Sequence, residues 1–292
     1  MRAHAVPLVR PGTSAPRSGS ASTAVHALLT GPVQPATVVG AGRHAAYLRV
    51  GDDVRQLVAV VTAGAVRVPC AVVLGPGVEV PRGLVPGEDA SVGAGAIGWA
   101  GGSVRITRWW ASAQVRPGAA HADADADARA ALADRLAERM SDHRLPDGVA
   151  EALASAVRRL ARRDATAGAP LVAVLGLGQG LTPAADDAVA GLLLLAGALD
   201  PTPVLDRAAA QVATAAAVRT TAVSAALLGH AATGRAAPQV VAAVDALTGD
   251  APGLRRERLD DAVTALLAVG HTSGADTAAG MLAAARTSRR AA

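Results

Sequence analysis

Two hydrophobic textures divide this chain. Through residues 36–110, short apolar runs are broken by Gly and Pro, as at 45–50, 54–62, 66–74 and 103–110. Residues 103–109 alternate strictly, with Val104, Ile106 and Arg108 on one face and Arg105, Thr107 and Trp109 on the other. Turn signals recur at Gly51-Asp52, Gly75-Pro76-Gly77, Pro81-Arg82-Gly83 and Pro86-Gly87. This spacing predicts an antiparallel β-domain, a small barrel or a sandwich.

The texture changes at Arg116-Pro117-Gly118, beyond which Ala, Leu, Arg and Glu recur at helical spacing. Leu132, Leu136 and Met140 form one apolar stripe, and a second helix is expected over 149–163. Pro201, Pro203, Pro238 and Pro252 mark breaks between further helices. Residues 1–22 show turn-forming residues without periodicity and read as a disordered leader. The expected organisation is therefore a leader (1–22), a β-rich domain (23–117) and an α-helical domain (118–292), an α+β class.

The helical part holds the most informative stretch, PLVAVLGLGQGLTPAADDAVAG at 170–191. An apolar run enters a loop with Gly176, Gly178 and Gly180. Thr182 then suits an N-cap, Pro183 the first helical position, and Asp186 and Asp187 the first turn. Glycines at this density let backbone N–H groups converge beside a helix N-terminus, which makes an anion cradle. Asp186 and Asp187 beside a phosphate could hold Mg2+, the one cofactor the sequence suggests. A plainer alternative is that the glycines allow close packing and the aspartates complement the helix dipole. The spacing is GxGxG without a following acidic strand end, which excludes a dinucleotide-binding fingerprint.

A second stretch repeats the pattern. His271-Thr272-Ser273-Gly274-Ala275-Asp276 leads into a helix through Gly280. Asp187 to Gly191 and Asp276 to Gly280 each span about one turn, so each Gly lies on its Asp face. Two such helix starts either converge on one pocket or form a tandem packing motif. Between them lies Arg219-Thr220-Thr221-Ala222-Val223-Ser224, a polar strip expected inside one long helix, facing solvent or a ligand.

Composition narrows the chemistry. The 292 residues include no Lys, Phe or Asn, so all 28 basic residues are Arg. Without Lys there is no Schiff base and no Walker A lysine. One cysteine, Cys70, excludes disulfide frameworks and multi-cysteine metal sites. A net charge of +4 with carboxylates spread among the arginines argues against nucleic acid as a partner. The uncharged run at 188–199 is far short of the roughly 20 residues of a membrane span, and no secretory signal is visible, so a cytoplasmic location is expected.

Taken together, GLGxGLTPxxDDxxxG, RTTxxSxxLxxxAxxG and GHTSGxDxxxG, in that order, resemble the subunit family of oxamate carbamoyltransferase associated with anaerobic allantoin breakdown. The chain departs from the common pattern at Ala184, Ala185 and Ala275. The resemblance implies a multisubunit transferase handling carbamoyl phosphate and a small carboxylate or amide, with other subunits as partners. On this reading Asp186, Asp187 and Asp276 are the catalytic candidates. Gly178, Gly180, Thr182, Arg219, Thr220, Thr221, Ser224, His271, Thr272, Ser273 and Gly274 are the substrate-binding ones. Two other readings compete: a non-catalytic partner of an acyl-CoA-synthetase-like enzyme, and a Mg2+-dependent hydrolase of a small phosphorylated metabolite.

Overall fold

A computed structural model describes residues 16–118, 126–248 and 252–286. The chain forms two compact units, one up to Ser112 and one from Ala113.

The first unit is a closed barrel of eight strands: β1 (Arg17–Ser22), β2 (Gln34–Ala41), β3 (Ala45–Val50), β4 (Leu57–Val61), β5 (Ala71–Leu74), β6 (Asp89–Gly93), β7 (Ala96–Trp99) and β8 (Gly102–Trp110). Around the barrel the order is β1-β5-β4-β3-β2-β6-β7-β8. A short helix, α1 (His26–Thr30), follows β1. Closure leaves no strand edge exposed.

This corrects the expected antiparallel barrel or sandwich. The pairings β1–β8 and β4–β5 are parallel, so the barrel is mixed and a sandwich is excluded. Period-2 alternation is the same in both pairing modes, so it could not distinguish them. A usable signal lay in β4 and β5, LVAVV and AVVL, which are buried throughout. Continuous apolar runs are typical of parallel strands covered on both faces.

Arg17–Ser22 was expected in the leader yet forms β1, which closes the barrel between β5 and β8. Its sequence, RSGSAS, has little intrinsic strand preference. Smallness is what the position demands: a Cβ at Gly19 would stand 2.7 and 2.8 Å from the methyls of Val72 and Val104. The rest of the leader, residues 1–15, lies outside the described residues.

The second unit is helical: α2 (Ala126–Arg139), α3 (Val149–Ala161), α4 (Gly168–Ala173), α5 (Ala184–Leu199), α6 (Pro203–Arg219), α7 (Ala222–Ala231), α8 (Pro238–Thr248), α9 (Pro252–Leu267) and α10 (Ser273–Ala285). The apolar run before the glycine loop lies mostly in α4. The expected single helix through 219–224 is instead broken, since α6 ends at Arg219 and Thr220 is extended (φ −139°, ψ −173°). Thr221 caps α7 by accepting a bond from the Ser224 N–H at 3.0 Å. A threonine offers the backbone this alternative to a continuous helix.

The core of this unit is the α5–α10 pair, the most extensive helix contact among the described residues. Gly191 and Gly280 make it possible. A Cβ at Gly191 would lie 2.0 Å from the Thr277 carbonyl oxygen, and one at Gly280 would lie 1.8 Å from that of Ala188. The contact is reciprocal. Each glycine, four residues past its own aspartate, sits on the residue just after the other helix's aspartate.

Candidate functional site

That packing brings the two helix starts together. The Thr182 and Ser273 hydroxyls are hydrogen-bonded at 2.9 Å. The residue across from Thr182 is Ser273, since Thr272 is exposed. The expectation that Thr182 caps α5 is corrected: Pro183 occupies the N-cap, Ala184 opens the helix, and no side chain caps it. The Leu177 carbonyl takes over by accepting from the Ala185 N–H at 3.0 Å. A loop carbonyl that caps the helix releases the Thr182 hydroxyl for Ser273.

Asp186 points into the protein and is only 1% exposed. One carboxylate oxygen accepts from the Gly176 N–H at 2.8 Å. The other accepts from the Ser224 hydroxyl at 2.7 Å and from the Thr220 hydroxyl. It thus ties the glycine loop and the α6–α7 break to α5. With both oxygens satisfied, Asp186 belongs to the frame of the site, as do Thr220 and Ser224. Thr221, besides its capping bond, donates its hydroxyl to the Leu181 carbonyl and so holds the same loop from its other end.

Asp187 has the opposite environment. Its Oδ2 is buried with no hydrogen-bond partner among the described residues. Burial pushes its carboxyl up to about 7; the hydroxyls of Ser273 and Thr182 pull it down, while the charges of Asp276 and Asp186 push it further up. Asp276 is 2% exposed and its Oδ2 is likewise buried and unpartnered. Its other oxygen lies 2.9 Å from Nε2 of His143.

Sequence reasoning missed His143. It sits in the turn after α2, its N–H bonded to the Met140 carbonyl at 3.0 Å. Its partner lies 133 positions along the chain, so no local spacing could have revealed the pair.

Gly178 (φ +119°) and Gly180 (φ +89°) give the loop its left-handed turns. The N–H groups of Gly178, Gln179, Gly180 and Thr182 donate to no backbone acceptor among the described residues. Arg219 and His271 are exposed. Gly274 is buried for packing, since a Cβ there would lie 1.9 Å from the Leu266 carbonyl oxygen. Among the described residues no group of three or more His, Cys, Asp or Glu side chains is arranged to hold a metal. A groove of about 630 Å3 is lined mainly by α2, α3 and α10 residues such as Ala133, Leu153 and Leu282. It holds none of the unpartnered buried oxygens.

Residues 174–285 match the family model of oxamate carbamoyltransferase subunit AllH. The AllH match spans the glycine loop, the α6–α7 break and the α5–α10 seam; His143 lies before it. No curated protein and no solved structure matches the chain. Among the described residues no helix is long and apolar enough to cross a membrane.

Proposed function

We propose that this chain is a subunit of an oxamate carbamoyltransferase in allantoin breakdown, and that the α5–α10 seam takes part in handling carbamoyl phosphate and a small carboxylate amide. One observation carries the reading. Within the AllH-matched stretch, reciprocal glycine packing sets two buried, unpartnered carboxylate oxygens beside a loop whose amide N–H groups are unused. In the transfer, the amide nitrogen of oxamate bonds to the carbamoyl carbon, the C–O bond to phosphate breaks, and phosphate leaves. The nitrogen must also lose a proton.

Asp187 suits that last task, because a carboxyl near 7 exchanges a proton readily at neutral pH. The free amides of Gly178, Gly180 and Thr182, next to the α5 N-terminus, suit the phosphate. Arg219, His271 and Thr272 stand exposed and supply the rim for a carboxylate. Leu177, Leu181 and Val218 are exposed apolar side chains on the loop and at the end of α6, which supports contact with another subunit. We place the complex in the cytoplasm.

The test is a transfer assay on the complex. With its partner subunits the chain is expected to support phosphate release from carbamoyl phosphate dependent on oxamate, and Asp187→Asn to lower kcat by about 100-fold or more. Full activity of the partners without this chain would sink the reading. Activity retained in Asp187→Asn would make the chain a non-catalytic partner.

A further inference from the structure

We infer that Asp187 and Asp276 form an acceptor pair for the N–H2 end of an anionic amide, and that His143 is the positioning residue that holds Asp276 for it. The inference rests on the seam being the ligand site and goes further by fixing which end of the ligand lies where.

Two buried oxygens are at issue, Oδ2 of Asp187 and Oδ2 of Asp276, neither with a partner among the described residues. Asp276 is 2% exposed, so solvent does not satisfy its orphaned oxygen. Buried polar atoms in folded proteins are nearly always paired, and an exception calls for a missing partner. An ionised carboxylate can only accept, so that partner must bring donors. A primary amide or carbamoyl N–H2 brings two hydrogens, one for each oxygen. The reciprocal seating of Gly191 and Gly280 places the two aspartates on the same seam, close enough for the charge of Asp276 to act on Asp187.

The opposite polarity lies next to it. The unused N–H groups of Gly178, Gln179, Gly180 and Thr182 can only donate, so they suit an anion. A ligand spanning both regions has an anionic end on the loop and an N–H2 end on the seam. A dianion such as oxalate would place charge against two carboxylates and leave both oxygens unpartnered. His143 enters through Asp276 alone. By bonding Oδ1 it leaves Oδ2 as the oxygen presented to the ligand.

Calorimetry on the full chain at pH 8 tests this with oxamate, oxalate and glycine as probes. Oxamate is expected to bind at least about 100-fold more tightly than oxalate, because a site built to hydrogen-bond an N–H group rejects the analogue without it. Asp187→Asn and Asp276→Asn each turn an acceptor into a donor facing the ligand's own N–H2. Each should bring oxamate to within about threefold of oxalate. His143→Gln keeps a donor for Asp276 and should retain the preference, whereas His143→Leu should lose about tenfold or more.

The inference is overturned if neither probe binds or the native chain shows no preference. It is equally overturned if the preference survives in both folded Asn variants, or if the two His143 variants behave alike. Tighter binding of glycine would replace the amide by an ammonium group. The transfer assay separates this from the proposed function. Transfer with an unaltered preference in the variants removes the inference alone, and a lost preference without transfer removes the function alone.

Discussion

The barrel and the helical unit each bury an acid, and the two burials differ in what surrounds them. In the barrel, Cys70 is fully buried, and desolvation pushes its thiol up to about 12. It behaves as a small hydrophobe at any ordinary pH. In the helical unit, burial pushes Asp187 up to about 7, a rise of similar size that ends near neutrality because a carboxyl ordinarily titrates far below a thiol. Buried polar side chains follow the same division. Among the described residues the barrel has only Ser22 and Ser91, while the helical unit has Asp186, Ser224, Thr248, Asp276 and Thr277. A carboxylate within range of neutral pH can exchange a proton and a sealed thiol cannot, which favours the helical unit for the proposed chemistry.

The largest expected effect separates the two units by how each uses glycine. Gly280→Ala pushes a methyl against the backbone of α5, at 1.8 Å from the Ala188 carbonyl oxygen, and neither helix can move without losing the seam. It should cost more than about 3 kcal/mol, beyond ordinary overpacking. Gly19→Ala in the barrel meets only the methyls of Val72 and Val104 and should cost about 1–2 kcal/mol. Denaturant midpoints of the two variants check this. An equal cost at both positions would mean the seam is no tighter than the barrel wall.

The next effect has opposite signs at neighbouring residues. Asp186→Ala strands the Gly176 N–H and the Thr220 and Ser224 hydroxyls, and should destabilise by about 3 kcal/mol. Asp187→Asn should stabilise at pH 8. The unfolded chain gives up this proton near pH 4 and the folded chain only near 7. Stability from this group is therefore intact below about pH 4, falls as pH rises from about 4 to about 7, and stays lowered above that. The loss is a few kcal/mol at most, and Asp187→Asn should remove it and flatten the profile. Cys70→Ser should leave that profile unchanged, since its thiol titrates far above the window. Parallel profiles for the native chain and Asp187→Asn would place Asp187 in water rather than in the seam.

How much of this was legible in the sequence follows from the range of each interaction. The switch in texture near Pro117, the glycine loop and the repeated Asp-x-x-x-Gly are local patterns, and they marked the helices that form the seam. Several features escaped, β1 and the capping of α5 among them. The parallel pairings depend on strand order, which alternation does not encode. The break at Thr220 is a competition between helix and cap that an Ala-rich context conceals. The bond from His143 to Asp276 joins segments with no shared spacing. Asp186 and Asp187 were indistinguishable as a pair of letters. One turns inward to three donors, and the other keeps an oxygen without a partner.

The smallest expected effect tests whether the glycine loop is held for function or only for stability. Thr202 and Thr221 do the same local work. Thr202 caps α6 by accepting from the Leu205 N–H at 3.2 Å, and Thr221 caps α7 by accepting from the Ser224 N–H at 3.0 Å. Replacing either by Ala should cost about 1 kcal/mol, the usual value of a lost threonine cap. Only Thr221 also donates its hydroxyl to the Leu181 carbonyl, inside the loop whose N–H groups donate to no backbone acceptor among the described residues. Thr221→Ala should therefore raise KM for oxamate in the complex several-fold beyond Thr202→Ala at matched stability, because a slackened loop must be ordered again by the ligand. Thermal unfolding sets the stability match and steady-state kinetics reads the difference. If the two variants have the same KM, the Thr221–Leu181 bond is a packing detail, and the loop reaches its binding geometry without help from α7.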